Sequence, residues 1–171
     1  KQFIPSYSIE GRTRSFLKIQ DGCDYKCSFC TIPLARGKSR SATIESIRKS
    51  SDDLISKGVK EIVLTGVNIG DFGNGTEVIE GTKTKKEALL IDLIKELDRI
   101  NGLYRFRISS IEPNLCTEEI IDFVATSKHF MPHFHMPLQS GDNEILSSMR
   151  RRYKRDLYQE RVTYIKHKMP H

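Results

Sequence analysis

Gly22-Cys23-Asp24-Tyr25-Lys26-Cys27-Ser28-Phe29-Cys30 follows closely on the apolar run Phe16-Leu17-Lys18-Ile19. Three of the four cysteines fall within positions 23–30, spaced Cys-x3-Cys-x2-Cys. Thiolates packed this closely on a short loop repel one another unless a cation binds them, so the stretch is built to hold a metal. The count of three is informative. A structural zinc site is closed by four ligands, whereas a catalytic metal keeps one position open. An iron–sulfur cube usually takes four cysteines, so three leave one iron for another ligand.

Working outward, Ser15–Gln20 reads as the first strand and the cysteine loop as its continuation. Pro33 and Gly37 argue against a regular element in the rest of that loop. Ser41 or Thr43 caps a helix whose apolar positions Ile44, Ile47, Leu54 and Ile55 share one face, with Gly58 as its stop. A β-branched second strand spans Glu61–Thr65. Residues 72–87 are rich in glycine, lysine and threonine and predict a flexible insertion or a small hairpin turning near Glu80-Gly81. A helix over Glu87–Ile100 buries Leu90, Leu93, Ile94 and Leu97. A third strand over Tyr104–Ile111 follows, then a helix from near Thr117 with Ile120, Phe123 and Val124 inward. The fourth strand is His133–Gln139, with helices near Asn143–Met149 and Arg155–Met169 after it. Residues 1–12 show no sustained period and read as a linker or leader, leaving 13–171 as one domain.

Alternation of strand and helix gives a parallel sheet with helical crossovers. The choice lies between a doubly wound open sheet and a TIM-type (β/α) barrel. Four strands and an early stop favour an α/β fold that is part of a barrel. Chemistry in such folds sits at the carboxyl ends of the strands. Here those ends are the cysteine loop, Thr65-Gly66-Val67-Asn68, Ser109-Ser110-Ile111-Glu112 and Pro137-Leu138-Gln139-Ser140-Gly141. A parallel sheet gathers them, and with them the thiols, amides, hydroxyls and a carboxylate, around one cavity. Taken singly, the glycines are ordinary turn residues, and Asn68 and Ser140 ordinary helix caps.

The arrangement of Cys23, Cys27 and Cys30, with Phe29 before the last, resembles the signature of the radical S-adenosylmethionine superfamily. The resemblance implies a 4Fe-4S cluster on the three thiolates and S-adenosylmethionine on the fourth iron. The runs Leu17–Cys23, Ile32–Gly37, His135–Gly141 and Met149–Tyr153 are similar to the methylthiotransferases within it. Thr65–Gly73 and Arg107–Pro113 are most similar to the branch acting on threonylcarbamoyladenosine beside the tRNA anticodon. The isopentenyladenosine branch usually has Gln at position 67, and the ribosomal-protein aspartate branch has Gln-Asp-Thr-Thr in that region. By position, Gly66, Val67 and Asn68 stand where the superfamily contacts the methionine amino group. Ser109, Ser110 and Glu112 stand where the ribose or the substrate is met. Gln139 and Arg151 stand at the rim, where Arg151 can pair with a carboxylate or phosphate. The resemblance also implies a second 4Fe-4S cluster in an N-terminal sulfur-delivery domain and a C-terminal RNA-binding β-barrel. Neither lies in these 171 residues, so the chain is expected not to complete methylthiolation by itself. A sulfur donor and a reducing electron donor are further implied partners.

Composition fits this picture without singling it out. There are 28 basic and 22 acidic residues, a formal charge of +6 and a pI near 9.2. That suits a polyanionic partner such as the tRNA anticodon stem-loop, and equally a plain solvated surface. Lys154 and Arg155 are the better phosphate candidates in the basic run 150–155. No apolar run reaches membrane-spanning length, no secretory leader is visible, and the cysteine pattern is not a disulfide framework, so a cytoplasmic protein is expected. The chain begins without a Met, which predicts a piece of a longer protein. The rival reading is a zinc-binding interaction module, using the Cys27/Cys30 pair with Cys116, His133 or His135. Cys116 is more simply a small apolar core residue, and His129, His133 and His135 flank the fourth strand. Tyr153, Tyr158 and Tyr164 fall at packing positions.

Overall fold

A computed structural model describes residues 3, 5–8, 14–73, 76–79, 82–85 and 88–170. Its framework is a four-stranded sheet in the order β1-β2-β5-β8, formed by β1 (Ser6–Ser8), β2 (Arg14–Lys18), β5 (Glu61–Thr65) and β8 (Arg105–Ile108). The last three are parallel and in register, with Arg14 beside Glu61 and Glu61 beside Arg105. α2 (Ile44–Ser56) crosses from β2 to β5, and α3 (Leu90–Leu97) from β5 to β8. α4 (Glu118–Thr126), α5 (Asn143–Ser148) and α6 (Arg155–Lys168) complete the order. The sheet is open, a partial parallel α/β architecture that fits a TIM-type fragment.

Residue type explains each element. α2 starts where the Thr43 hydroxyl accepts the Ser46 N–H, and α4 where Thr117 accepts that of Ile120. α5 starts where Asp142 accepts from both Glu144 and Ile145. One face of α3 is wholly apolar, and Leu93, Ile94 and Leu97 reach full burial against Leu17, Ile62, Leu64 and Phe106 of the strands. Phe106 and Phe130 stack at 5.1 Å, extending this core toward α4. At the amino ends of the strands the nearly buried Glu61 meets Arg14, Arg105 and Arg107, which fixes the strand register on the side away from the cysteines.

Four differences from the sequence reading have identifiable physical causes. Ser6–Ser8, inside the expected leader, pairs antiparallel with the free edge of β2, helped by the Ser15 hydroxyl donating to the Ser8 carbonyl. The first strand ends at Lys18. The next residues form β3 (Gln20–Asp21), which pairs with β4 (Arg40–Ser41) and folds the cysteine loop back on itself. Ile32–Arg36 is a short helix, α1, because Pro33 sits in its first turn, where no N–H is needed. The fourth strand is not a strand. The chain runs beside β8 through two isolated parallel bridges, Phe106 to Phe130 and Ser110 to His135. Pro132 and Pro137 lack the N–H groups a continuous ladder requires.

Residues 76–79 and 82–85 form the expected small hairpin as β6 (Thr76–Ile79) and β7 (Thr82–Lys85). Its turn near Glu80-Gly81 and the expected helix start at Glu87 lie outside the described residues. α3 begins later, where the Leu89 N–H donates to the Asp92 carboxylate at 2.8 Å.

Candidate metal and nucleoside site

The three parallel strands end on one edge, and a cavity of about 130 Å³ opens there. Cys23, Cys27 and Cys30 line it, together with Tyr25, Phe29, Ile32, Val67, Asn68, Glu112 and Arg151. Eight of the residues singled out from the sequence therefore meet at one place: the three cysteines, Phe29, Val67, Asn68, Glu112 and Arg151. Gly66, Ser109, Ser110 and Gln139 stand off the lining. The Ser109 N–H continues the strand pairing to the Leu64 carbonyl, and the Ser110 hydroxyl meets His135 Nδ1 at 2.7 Å. Gln139 is exposed, with a left-handed backbone at φ 68°.

The cysteine loop is shaped mostly by its own backbone. The Cys23 N–H donates to the Gly37 carbonyl, the Cys30 N–H to that of Cys27, and the Tyr25 N–H to the Cys23 sulfur. Burial pushes the Cys23 thiol up, and the negative charges of Asp71 and the other two cysteines add to this. A cation that binds must displace that proton. Among the described residues, no three His, Cys, Asp or Glu side chains converge on a point able to hold a single metal ion. Three thiols on one loop suit a cluster, in which each thiolate would meet a different iron.

The same lining carries polar groups that lack hydrogen-bond partners among the described residues. Both side-chain polar atoms of Asn68, which is 6% exposed, are buried without a hydrogen bond, as are Glu112 Oε2 and Arg151 Nε. Native interiors rarely leave such groups unpaired unless a ligand meets them. Burial raises the Glu112 carboxyl above its ordinary range, and Arg151 only partly offsets this. Thiols and unpaired polar atoms in one lining fit a cluster and a polar ligand that binds beside it.

Several contacts between the motifs are not legible from the sequence. The Arg152 guanidinium lies 3.9 Å from the Tyr25 ring centre, and Arg151 lies 5.3 Å from that of Phe29. Two successive arginines thus stack on two aromatics of the cysteine loop, while the Ser28 N–H donates to the Met149 carbonyl. The α5–α6 junction is docked on the cysteine loop, with Arg151 and Arg152 of the basic run turned toward it. The aromatic residues inside the cysteine motif were the available signal. The Tyr25 hydroxyl accepts from Asn114, and Tyr153 donates its hydroxyl to the carbonyls at 137 and 138, steadying the segment beside β8. Cys116 is fully buried in the core, which agrees with its reading as a small apolar residue.

The family model described as the Radical SAM superfamily matches residues 17–171. Threonylcarbamoyladenosine tRNA methylthiotransferase MtaB of Bacillus subtilis is 39% identical over 98% of this chain and 35% of that protein. Its counterpart in Chlamydia pneumoniae is 40% identical over 87% of this chain and 33% of that protein. A tRNA-2-methylthio-N(6)-dimethylallyladenosine synthase of Ruegeria is 35% identical over 84% of this chain and 31% of that protein. The chain thus spans about a third of the length of the curated relatives it matches. Among solved structures, the radical S-adenosylmethionine methyltransferase TsrM of Kitasatospora setae, with cobalamin and a [4Fe-4S] cluster bound, superposes with a TM-score of 0.69. The match has 18% identity and covers 90% of this chain and 27% of that one, which establishes likeness of fold. Among the described residues no helix is long and apolar enough to cross a membrane.

Proposed function

The chain belongs to the radical S-adenosylmethionine superfamily, and on that premise we propose that it is the central part of a tRNA methylthiotransferase acting on threonylcarbamoyladenosine beside the anticodon. The observation that carries this is the single cavity in which three cysteines face Asn68, Glu112 and Arg151. The run Thr65–Gly73 and the names of the relatives near 40% identity support the substrate.

Cys23, Cys27 and Cys30 would hold a 4Fe-4S cluster, with S-adenosylmethionine beside it. When bound, this pair supplies one-electron reductive cleavage of the sulfonium, a radical chemistry that belongs to the cofactor. The protein's own residues supply placement. Asn68 offers a donor and an acceptor to the polar end of the nucleoside ligand. Arg151, held by Glu112 and flanked by Phe29, offers a positive wall. The buried Tyr25, with Ile32 beside it in the lining, gives the cavity an apolar side. Sulfur delivery, with its second cluster, and the main RNA grip lie outside these 171 residues, so the chain alone does not complete methylthiolation. A sulfur donor, a reducing electron donor and a cytoplasmic tRNA complete the setting.

Mass analysis of anticodon-loop nucleosides from cells lacking the gene tests the reading. Loss of the methylthio group from threonylcarbamoyladenosine, with the unthiolated nucleoside accumulating, is the expected result. Loss from isopentenyladenosine instead would favour the second reading, for which the Ruegeria relative stands. An unchanged nucleoside profile would overturn both.

A further inference from the structure

Gln20, which lies in the run Leu17–Cys23 without a role of its own there, is fully buried and sits between the two halves of the site. Its Oε1 accepts the N–H groups of Val67 and Asn68, each at 2.9 Å. Its Nε2 donates to the Gly22 carbonyl at 2.8 Å and to the Ser39 hydroxyl at 3.0 Å. One side-chain amide thus spends both lone pairs on the turn after β5 and both protons on the cysteine loop and its return strand. Gly66 makes the approach possible, since a Cβ there would lie 2.8 Å from Gln20 Oε1. The backbone amides of Val67 and Asn68 are therefore already used. What that turn leaves for a ligand is the Asn68 side chain, whose polar atoms have no partner.

We propose that Gln20 is a positioning residue that locks the Gly66–Asn68 turn to the cysteine loop, so that the Asn68 amide meets the polar end of S-adenosylmethionine at a fixed distance from the cluster. This rests on the reading that the cavity takes that nucleoside. Gly66 serves the site as the space Gln20 occupies. The recognition group one turn away is Asn68.

The test measures two quantities on anaerobically reconstituted protein: iron per chain, and the Kd of S-adenosylmethionine by equilibrium dialysis. Gln20→Met keeps the length of the side chain and removes its hydrogen bonds. It should keep the iron content and raise Kd about tenfold, the loss of about one hydrogen bond's worth of alignment. Gly66→Ala, which displaces the Gln20 amide and leaves the residue in place, should raise Kd similarly even where Gln20→Met folds poorly. Introduced into Gln20→Ala, the same Gly66→Ala change should move Kd by clearly less than it does in the wild type, since the 2.8 Å contact with the amide is gone and only the Gln20 Cβ at 3.1 Å and backbone oxygen at 3.3 Å remain. A purely structural Gln20 would instead lower iron content or Tm, leave Kd of the loaded protein unchanged, and give additive effects. That result overturns the role of Gln20. A wild-type protein that loads iron and fails to bind S-adenosylmethionine overturns the cofactor reading, and this inference with it.

Discussion

Arg151 Nη1 donates to Glu112 Oε1 across 2.9 Å at the cavity wall, and the two side chains are only 9% and 16% exposed. Removing one member of so enclosed a pair leaves the other charge buried alone, at a cost on the order of 3 kcal/mol. Arg151→Met should therefore destabilise the chain by about that much at pH 8 in urea unfolding. The sign of its pH dependence follows from Glu112. Burial already raises this carboxyl, and losing Arg151 raises it further. A carboxyl raised on folding penalises the native state above its unfolded pKa, and the penalty fades as the pH falls through the folded pKa toward the unfolded one. The loss should thus be smaller at pH 5, and smaller again in Arg151→Met/Glu112→Gln. An equal loss at pH 5 and pH 8 would assign it to the contact with Phe29.

Cys116 is fully buried, and burial pushes its thiol up to about 12. At pH 8 only about one molecule in ten thousand carries the thiolate there, and none of it faces solvent. Ellman's reagent on the native, metal-free chain should count three thiols, those of Cys23, Cys27 and Cys30. The fourth should react only in denaturant. Four fast thiols on the native protein would mean that the core around α4 opens readily.

What the sequence revealed, and what it did not, divides by range of interaction. β5 falls on Glu61–Thr65 as read, and α2 starts at its Thr43 cap, because β-branching, helical spacing and hydroxyl capping are local signals. β1, β3 and β4 are two or three residues long and exist only through partners far along the chain. Pro33 was weighed as a breaker, yet a first-turn proline is compatible with a helix. The segment 129–139 meets β8 and the residues after it only at two isolated bridges, because its prolines interrupt the pairing that would make it a strand. In the cavity lining, the thiols and Asn68 were legible because they follow strand ends that a parallel sheet gathers on one edge. Gln20 was not, because a buried amide acquires its meaning only from the segments it joins.

The basic run divides between two directions, and this sharpens an RNA-binding prediction. Arg151 and Arg152 lie over Phe29 and Tyr25, and the Lys154 ammonium donates to the Asn143 carbonyl and the Ser147 hydroxyl of α5. Arg155 keeps 60% of its side chain exposed and pairs with the likewise exposed Asp156 at 3.5 Å. In the full-length protein, Arg155→Glu should weaken tRNA binding and reduce the salt slope by about one. Lys154→Glu should add a loss of stability from the α5–α6 junction. Filter binding over a range of salt concentrations reads the first effect, and thermal melting the second. Unchanged affinity and slope in Arg155→Glu/Lys154→Glu would remove this surface from the RNA contact.

Gly22 sets the entry of the metal loop. Its φ is +72°, and a Cβ there would sit 2.1 Å from the Lys38 carbonyl oxygen and 2.8 Å from that of Gly37. Gly37, at φ +79°, has nothing within 4 Å of the same added atom. The two glycines therefore separate backbone strain from close approach. Gly37→Ala should cost about 2 kcal/mol from backbone conformation alone, because φ +79° with ψ −161° is a region essentially confined to glycine. Gly22→Ala must also push the return strand away from Cys23, whose N–H donates to Gly37 at 3.1 Å. Its cost should exceed about 2 kcal/mol, and the displaced thiol should lower iron per chain after reconstitution to less than about half of wild type. Comparable stability and iron loading in the two variants would place the whole effect in backbone conformation and none in the contact between the cysteine loop and Lys38.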